Sequence, residues 1–104
     1  MSVAEDLAVT PEEREKYLAA AFSSLSPLKM KAYPMKYKRR LVALRQIAAE
    51  LEPGRVYTQR EINDLLEAIW QDPVTLRRDL IGEGMLKREK DGSAYWACPG
   101  NNAE

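Results

Sequence analysis

The sequence predicts a mainly α fold with one small β wing, and three observations predict it. Four segments carry helix caps or helical apolar periodicity, the third and fourth of them are joined by almost no linker, and an Asp-Gly turn between two short runs closes a hairpin near the end. The chain has 104 residues, which suffices to bury one hydrophobic core and leaves no room for a second independent domain.

Thr10, Pro11 and Glu13 open the first helix, as an N-cap, a proline where its missing N–H costs nothing, and a capping-box glutamate. Tyr17, Leu18, Ala21, Phe22 and Leu25 recur at helical spacing, so this helix is expected to be amphipathic and to stop near residues 23–27. Its stripe needs a cover, either the rest of the domain or a partner or second copy. For the latter, Tyr17, Leu18, Phe22 and Leu25 are the candidate interface. Residues 29–34 read as a basic connector, in which Tyr33 before Pro34 favours extended backbone. A second helix is expected from about Lys36 to Leu51, with Tyr37, Leu41, Leu44, Ile47, Ala48 and Leu51 on one side and Pro53-Gly54 as its stop.

Arg55, Val56 and Tyr57 form a short extended piece, and Thr58 with Glu61 makes a second capping box. Ile62, Leu65, Leu66 and Ile69 stand at i, i+3, i+4 and i+7 of the third helix, while Arg60, Asn63 and Glu67 fall outward. Asp72-Pro73 repeats the cap-then-proline device and starts the fourth helix, which runs through Leu76, Leu80 and Ile81 to Gly82 and Gly84. Residues 85–90 and 93–97 then make a hairpin about a two-residue Asp91-Gly92 turn, whose primed geometry needs positive φ angles. Helix, short strand, helix, helix, hairpin is the order of a winged helix-turn-helix, here preceded by an extra N-terminal helix. The chain thus divides into a disordered N-terminus (1–9), the N-terminal amphipathic helix with its basic connector (10–33), the winged-helix domain (34–97) and a flexible tail (98–104).

Composition excludes much chemistry. With no histidine there is no Ser-His-Asp or Cys-His arrangement, and the single cysteine, Cys98, builds neither a thiolate zinc site nor a disulfide framework. No enzyme, metal or cofactor is expected. The absence of a basic, apolar leader and of any long apolar run points to a cytoplasmic protein with no membrane partner. The 16 basic and 16 acidic residues balance, yet they segregate. Residues 1–28 carry a net charge of minus three, residues 29–49 plus seven without a single acid, and the remainder minus four. A local basic block answers to phosphate or to an acidic partner regardless of the total, although charge runs are often no more than a solvated face.

Several stretches match in order and spacing a family of known sequence pattern: Pro34-x-Lys36-x-Lys38 leading into Leu41 and Leu44, then Glu52-Pro53-Gly54-Arg55-x-Tyr57-Thr58, then Glu61-Ile62-Asn63-x-Leu65-Leu66. The most specific is Asp72-Pro73-x-x-Leu76-Arg77-Arg78-x-Leu80, followed by Gly84-x-Leu86-x-Arg88 and Asp91-Gly92-Ser93-x-Tyr95-Trp96. From about Phe22 to Trp96 the chain resembles the bacterial unknown-function family 2087, a domain found alone or appended to helix-turn-helix transcription regulators. The resemblance implies a winged-helix-like fold and a link to transcription, but no reaction and no ligand. Ser26-Pro27 where Gly-Arg is common, Ala97 for a frequent Arg, and Glu89 near the wing tip all make this member less positive than the pattern.

In a helix-turn-helix the second helix of the pair enters the major groove. On its helical wheel Arg77 falls with Leu76, Leu80 and Ile81 on the core side, so it is expected to be structural and paired with Glu61 or Asp64. Arg78 and Thr75 face outward as candidates for base or phosphate contact, beside Asp79, whose charge would repel phosphate. Lys87, Arg88 and Lys90 of the wing and Lys36, Lys38, Arg39 and Arg40 of the second helix are candidate phosphate contacts. Asp72, Thr58 and Glu61 need only their capping roles, and Tyr95 and Trp96 read as wing-base packing more readily than as a base-stacking surface. The expected function is therefore a small DNA-binding regulator of transcription, with duplex DNA as partner and a homodimer as the usual arrangement. The alternative is a winged-helix module that binds another protein and no DNA, which the pI near 6.3 favours.

Overall fold

The computed structural model describes residues 9–98. Most of the expected disordered start and flexible tail lies outside the described residues. Val9 and Cys98, assigned to those two segments, are placed: Val9 packs against the core, and the Cys98 N–H donates to the Met85 carbonyl at 3.1 Å.

Four helices and five short strands follow one another as α1 (Pro11–Ala21), β1 (Phe22–Leu25), β2 (Leu28–Met30), α2 (Tyr37–Ala48), β3 (Val56–Tyr57), α3 (Gln59–Ile69), α4 (Pro73–Gly82), β4 (Leu86–Arg88) and β5 (Tyr95–Ala97). The caps act as their residue types dictate. Thr10 and Glu13 close a capping box on α1, Thr58 and Glu61 another on α3, and Asp72 accepts from the Thr75 N–H at the start of α4.

The helix expected to reach residues 23–27 ends at Ala21, and a hairpin follows that the sequence reading left out. Phe22 adopts extended backbone, and β1 pairs antiparallel with β2, Phe22 opposite Met30 and Leu25 opposite Leu28. The cause is burial with a period of two. Phe22, Leu28 and Met30 point inward while Ser23, Lys29 and Leu25 stay exposed, which a continued helix would not allow. Lys29 reaches from this hairpin to the Ala68 carbonyl, 2.7 Å away, where the last turn of α3 leaves acceptors free. Residues 29–34 are thus partly strand rather than wholly connector, and α2 is shorter than expected at both ends.

β3, β5 and β4 form the second sheet in that order, all antiparallel, with Tyr57 opposite Tyr95 and Arg88 opposite Tyr95 on the other side. The turn between β4 and β5 is longer than a two-residue primed loop. The Gly92 N–H closes onto the Glu89 carbonyl at 3.0 Å, the Glu89 N–H onto Ala94 at 2.9 Å, and Gly92 alone takes the positive φ, since Asp91 does not. Asp91 instead accepts from the Ser93 N–H at 2.9 Å.

One cluster forms the core and draws on every helix and strand: Leu18, Ala21, Phe22, Leu28 and Met30 from the N-terminal third join Leu44, Ile47, Tyr57, Ile62, Leu66, Leu76, Leu80, Leu86 and Tyr95. Residues 10–33 therefore fold with residues 34–97 around the same interior. The stripe considered as an interface is spent there. Leu18 and Phe22 are 6% and 4% exposed, Tyr17 is half-buried, and Leu25, the only exposed member, lies on β1 and not on the helix.

Two glycines test this account with opposite signs. At Gly92, φ is +77° and an added Cβ would meet Gln59 Oε1 at 3.2 Å, so Gly92→Ala is expected to lower stability by about 1–2 kcal/mol. Gly82, in the last turn of α4 with nothing within 4 Å, should gain up to about 1 kcal/mol on Gly82→Ala. Urea unfolding midpoints at constant slope measure both.

Candidate functional site

Capping fixes where α3 and α4 begin, and the three residues between Ile69 and Pro73 fix how closely they follow. α4 therefore lies across α3 with one side free, and the β4–β5 hairpin stands beside that side. Between them runs a groove of about 270 Å³ lined by Val74, Arg77, Arg78, Ile81, Arg88 and Tyr95.

Arg77 is half-buried at its base, but its partner is not a carboxylate. Its Nη1 donates to Asn63 Oδ1 at 2.6 Å, and its guanidinium carbon lies 5.8 Å from the centre of the Tyr95 ring. Both expected carboxylates are engaged elsewhere: Glu61 accepts from Thr58 in the capping box and stands 3.8 Å from Arg55, while Asp64 stands 3.9 Å from Arg60. Asn63, read from the sequence as outward, is half-buried and turned to Arg77.

Arg78 is exposed, and among the described residues no carboxylate lies within ion-pair distance of it, although its charge acts on Asp72. Thr75 is less free than expected. Its hydroxyl donates to Asp72 Oδ2 at 2.7 Å, and that bond, with the one from its own N–H, holds the Asp72 carboxyl below its ordinary value of 3.8. Asp79 is not the open negative charge expected of it either, because it is half-buried and accepts a hydrogen bond from the Tyr33 hydroxyl. Burial first, and this bond second, push the Tyr33 hydroxyl well above its ordinary value of 10.0, while Arg40 and Arg78 act on it in the opposite direction. Two arginines 38 positions apart in the chain thus act on one hydroxyl. Tyr37 makes a parallel tie, donating to Glu83 Oε1 at 2.8 Å.

The basic block of residues 29–49 is divided among neighbours. Lys38 stands 3.7 Å from Glu13, and Arg39 lies 5.2 Å from the centre of the Tyr17 ring, so both face α1. Arg40 turns the other way, donating to the Met35 carbonyl at 3.1 Å and lying near α4. Lys36, Lys87, Arg88 and Lys90 are exposed, and the last three lie on β4 and its turn. Tyr95 is buried as the floor of the groove and Trp96 is half-buried, so neither offers an open ring for stacking.

Tyr33 was missed as a site residue because its partner is 46 positions away. The one local signal was an aromatic residue bearing a hydroxyl inside a basic stretch. No helix among the described residues is long and apolar enough to cross a membrane.

A family model described as an uncharacterized protein conserved in bacteria (DUF2087) matches residues 29–97. No curated protein and no solved structure matches the chain.

Tyr33→Phe leaves the half-buried Asp79 carboxylate without its donor and should cost about 1–3 kcal/mol. Because the folded value of Tyr33 is raised, its contribution is complete below pH 10.0 and is lost as the pH climbs further. Denaturant unfolding between neutral and strongly alkaline pH should show that loss in the wild type and a flatter profile in Tyr33→Phe.

Proposed function

The chain belongs to DUF2087, a family of uncharacterized proteins conserved in bacteria, and from that premise we propose that it is a small winged helix-turn-helix protein that binds duplex DNA and regulates transcription. The observation that carries this reading is the arrangement of α3, α4 and the sheet. Two capped helices joined by three residues are followed by a hairpin whose second strand lies between β3 and β4, and the free side of α4 opens onto a groove lined by three arginines.

On this reading α4 enters the major groove. Arg78 is its outward cation, suited to the O6 and N7 of guanine or to a phosphate, and Val74, 51% exposed one turn earlier, is suited to a thymine methyl. Lys87, Arg88 and Lys90 contact phosphates from the hairpin, and Lys36 and Arg40 do so from the start of α2. Tyr33 supports the same face by keeping Asp79 hydrogen-bonded beside Arg78 and Arg40. Lys38 and Arg39 contribute less than the sequence reading gave them, since α1 already engages both. Asp72, Thr75, Thr58 and Glu61 act through the shape of the helix pair.

The balanced formal charge favours a second reading, a winged-helix module that binds a protein and no DNA. Fluorescence anisotropy with random-sequence duplex separates the two. On the first reading affinity falls with salt, adding about 0.9 to the log-log slope for each phosphate neutralised. Lys87→Ala should weaken all duplexes alike and lower that slope by about 1, whereas Arg78→Ala should cost about 1–3 kcal/mol and relax base preference. No anisotropy change at micromolar protein in low salt would leave only the second reading.

A further inference from the structure

Arg77 is held in an unusual way for a half-buried guanidinium. Such groups ordinarily lie against a carboxylate, which cancels the charge removed from water. Here the two contacts are neutral, the Asn63 amide oxygen and the face of Tyr95. They fix the direction of the guanidinium and leave its charge intact. The two carboxylates expected as its partners, Glu61 and Asp64, are engaged by the α3 capping box, Arg55 and Arg60.

The groove beside it repeats the pattern. Arg77, Arg78 and Arg88 line it together with Val74, Ile81 and Tyr95, and no carboxylate is among the lining residues. Arg88 is brought close by the turn: its Nη1 and the Tyr95 hydroxyl each lie 3.8 Å from the point that a Cβ on Gly92 would occupy. Tyr95 thus has Arg77 over its ring and Arg88 near its hydroxyl. Three arginines line this partly apolar groove, and like charges on one groove favour an anion seated among them. Guanidinium forks from α4 and the hairpin present donors from two directions, more than the two coplanar oxygens of a carboxylate meet. A tetrahedral phosphoryl group, with several acceptor oxygens pointing in different directions, matches them.

We infer that this groove is a seat for one phosphoryl group, with Arg77 as its anchor and Arg88 closing on it from the hairpin. The inference deepens the duplex-binding reading, and rests on it for the source of the phosphate: a backbone phosphodiester passing between α4 and the hairpin. A free phosphorylated molecule has the same chemistry at this site.

The test follows the arginine side-chain N–H signals by nuclear magnetic resonance in the full chain. Inorganic phosphate is titrated against chloride of equal ionic strength, and a short duplex is titrated separately. Phosphate is expected to shift Arg77 and Arg88, and the duplex to shift the same signals and compete with it. Asn63→Asp places a carboxylate against Arg77 while keeping its acceptor, and should weaken phosphate binding about tenfold or more with the thermal midpoint retained. Arg88→Gln, at an exposed position, should weaken it similarly. Phosphate binding with a silent duplex supports the seat, assigns it to a free ligand and removes the duplex reading. Duplex binding with steep salt dependence but unmoved Arg77 removes the seat and keeps that reading. Wild-type phosphate affinity in Asn63→Asp overturns the role of Arg77.

Discussion

The guanidinium of Arg77 touches two elements besides its own, and the placement of α3, α4 and the sheet is what satisfies it. A charge drawn partly out of water needs a partner in a fixed position. Asn63 is such a partner only because the Thr58–Glu61 box sets the phase of α3, and Arg77 faces it only because Asp72 and Pro73 restart the chain three residues after α3 ends. Tyr95 completes the arrangement because it sits in the middle strand, paired on both sides, where its ring is fully buried and has no freedom to turn away. Caps, link length and strand order, features usually explained separately, here converge on one side chain.

The basic block shows how tertiary structure redistributes a linear charge pattern. Seven cations with no intervening acid look like one surface in the sequence. Successive helical residues are about 100° apart, so Lys38 and Arg39 turn to α1 while Arg40 turns to α4. The acidic N-terminal helix takes up part of the block, through Glu13 and the Tyr17 ring, and leaves the part beside α4 uncovered. Tyr33 and Tyr37 then fasten that part to α4 through hydrogen bonds to Asp79 and Glu83, whose charges stay on the same surface.

Much of this was legible in the sequence, and the reasons are local. Thr10, Thr58 and Asp72 announce helix starts because an N-cap bonds within three residues, and Val56-Tyr57 announces a short extended piece between two helices. The unread parts have equally definite causes. Phe22 and Leu25 continue the helical spacing of Leu18 and Ala21 by coincidence, which hid β1, although Leu28-Lys29-Met30 alternates with a period of two. Glu61 and Asp64 are the charged neighbours of Arg77 by spacing, but charge does not reveal that each already has an occupation, and a neutral Asn63 gives no signal. Tyr33 and Asp79 are separated by nearly half the chain, a distance that periodicity does not span.

The pairing of β1 with β2 sets a lower limit on the unit that folds. The family model matches from residue 29, inside β2, so the matched residues alone lack the strand that pairs with β2. A chain cut there would lose Leu28 and the first strand, leaving Met30 without the Phe22 partner opposite it and the inner face of α2 without Leu18. The matched stretch and the stretch that packs around one interior are therefore different lengths. A relative lacking an equivalent of α1 and β1 must cover the same apolar surface with some other segment.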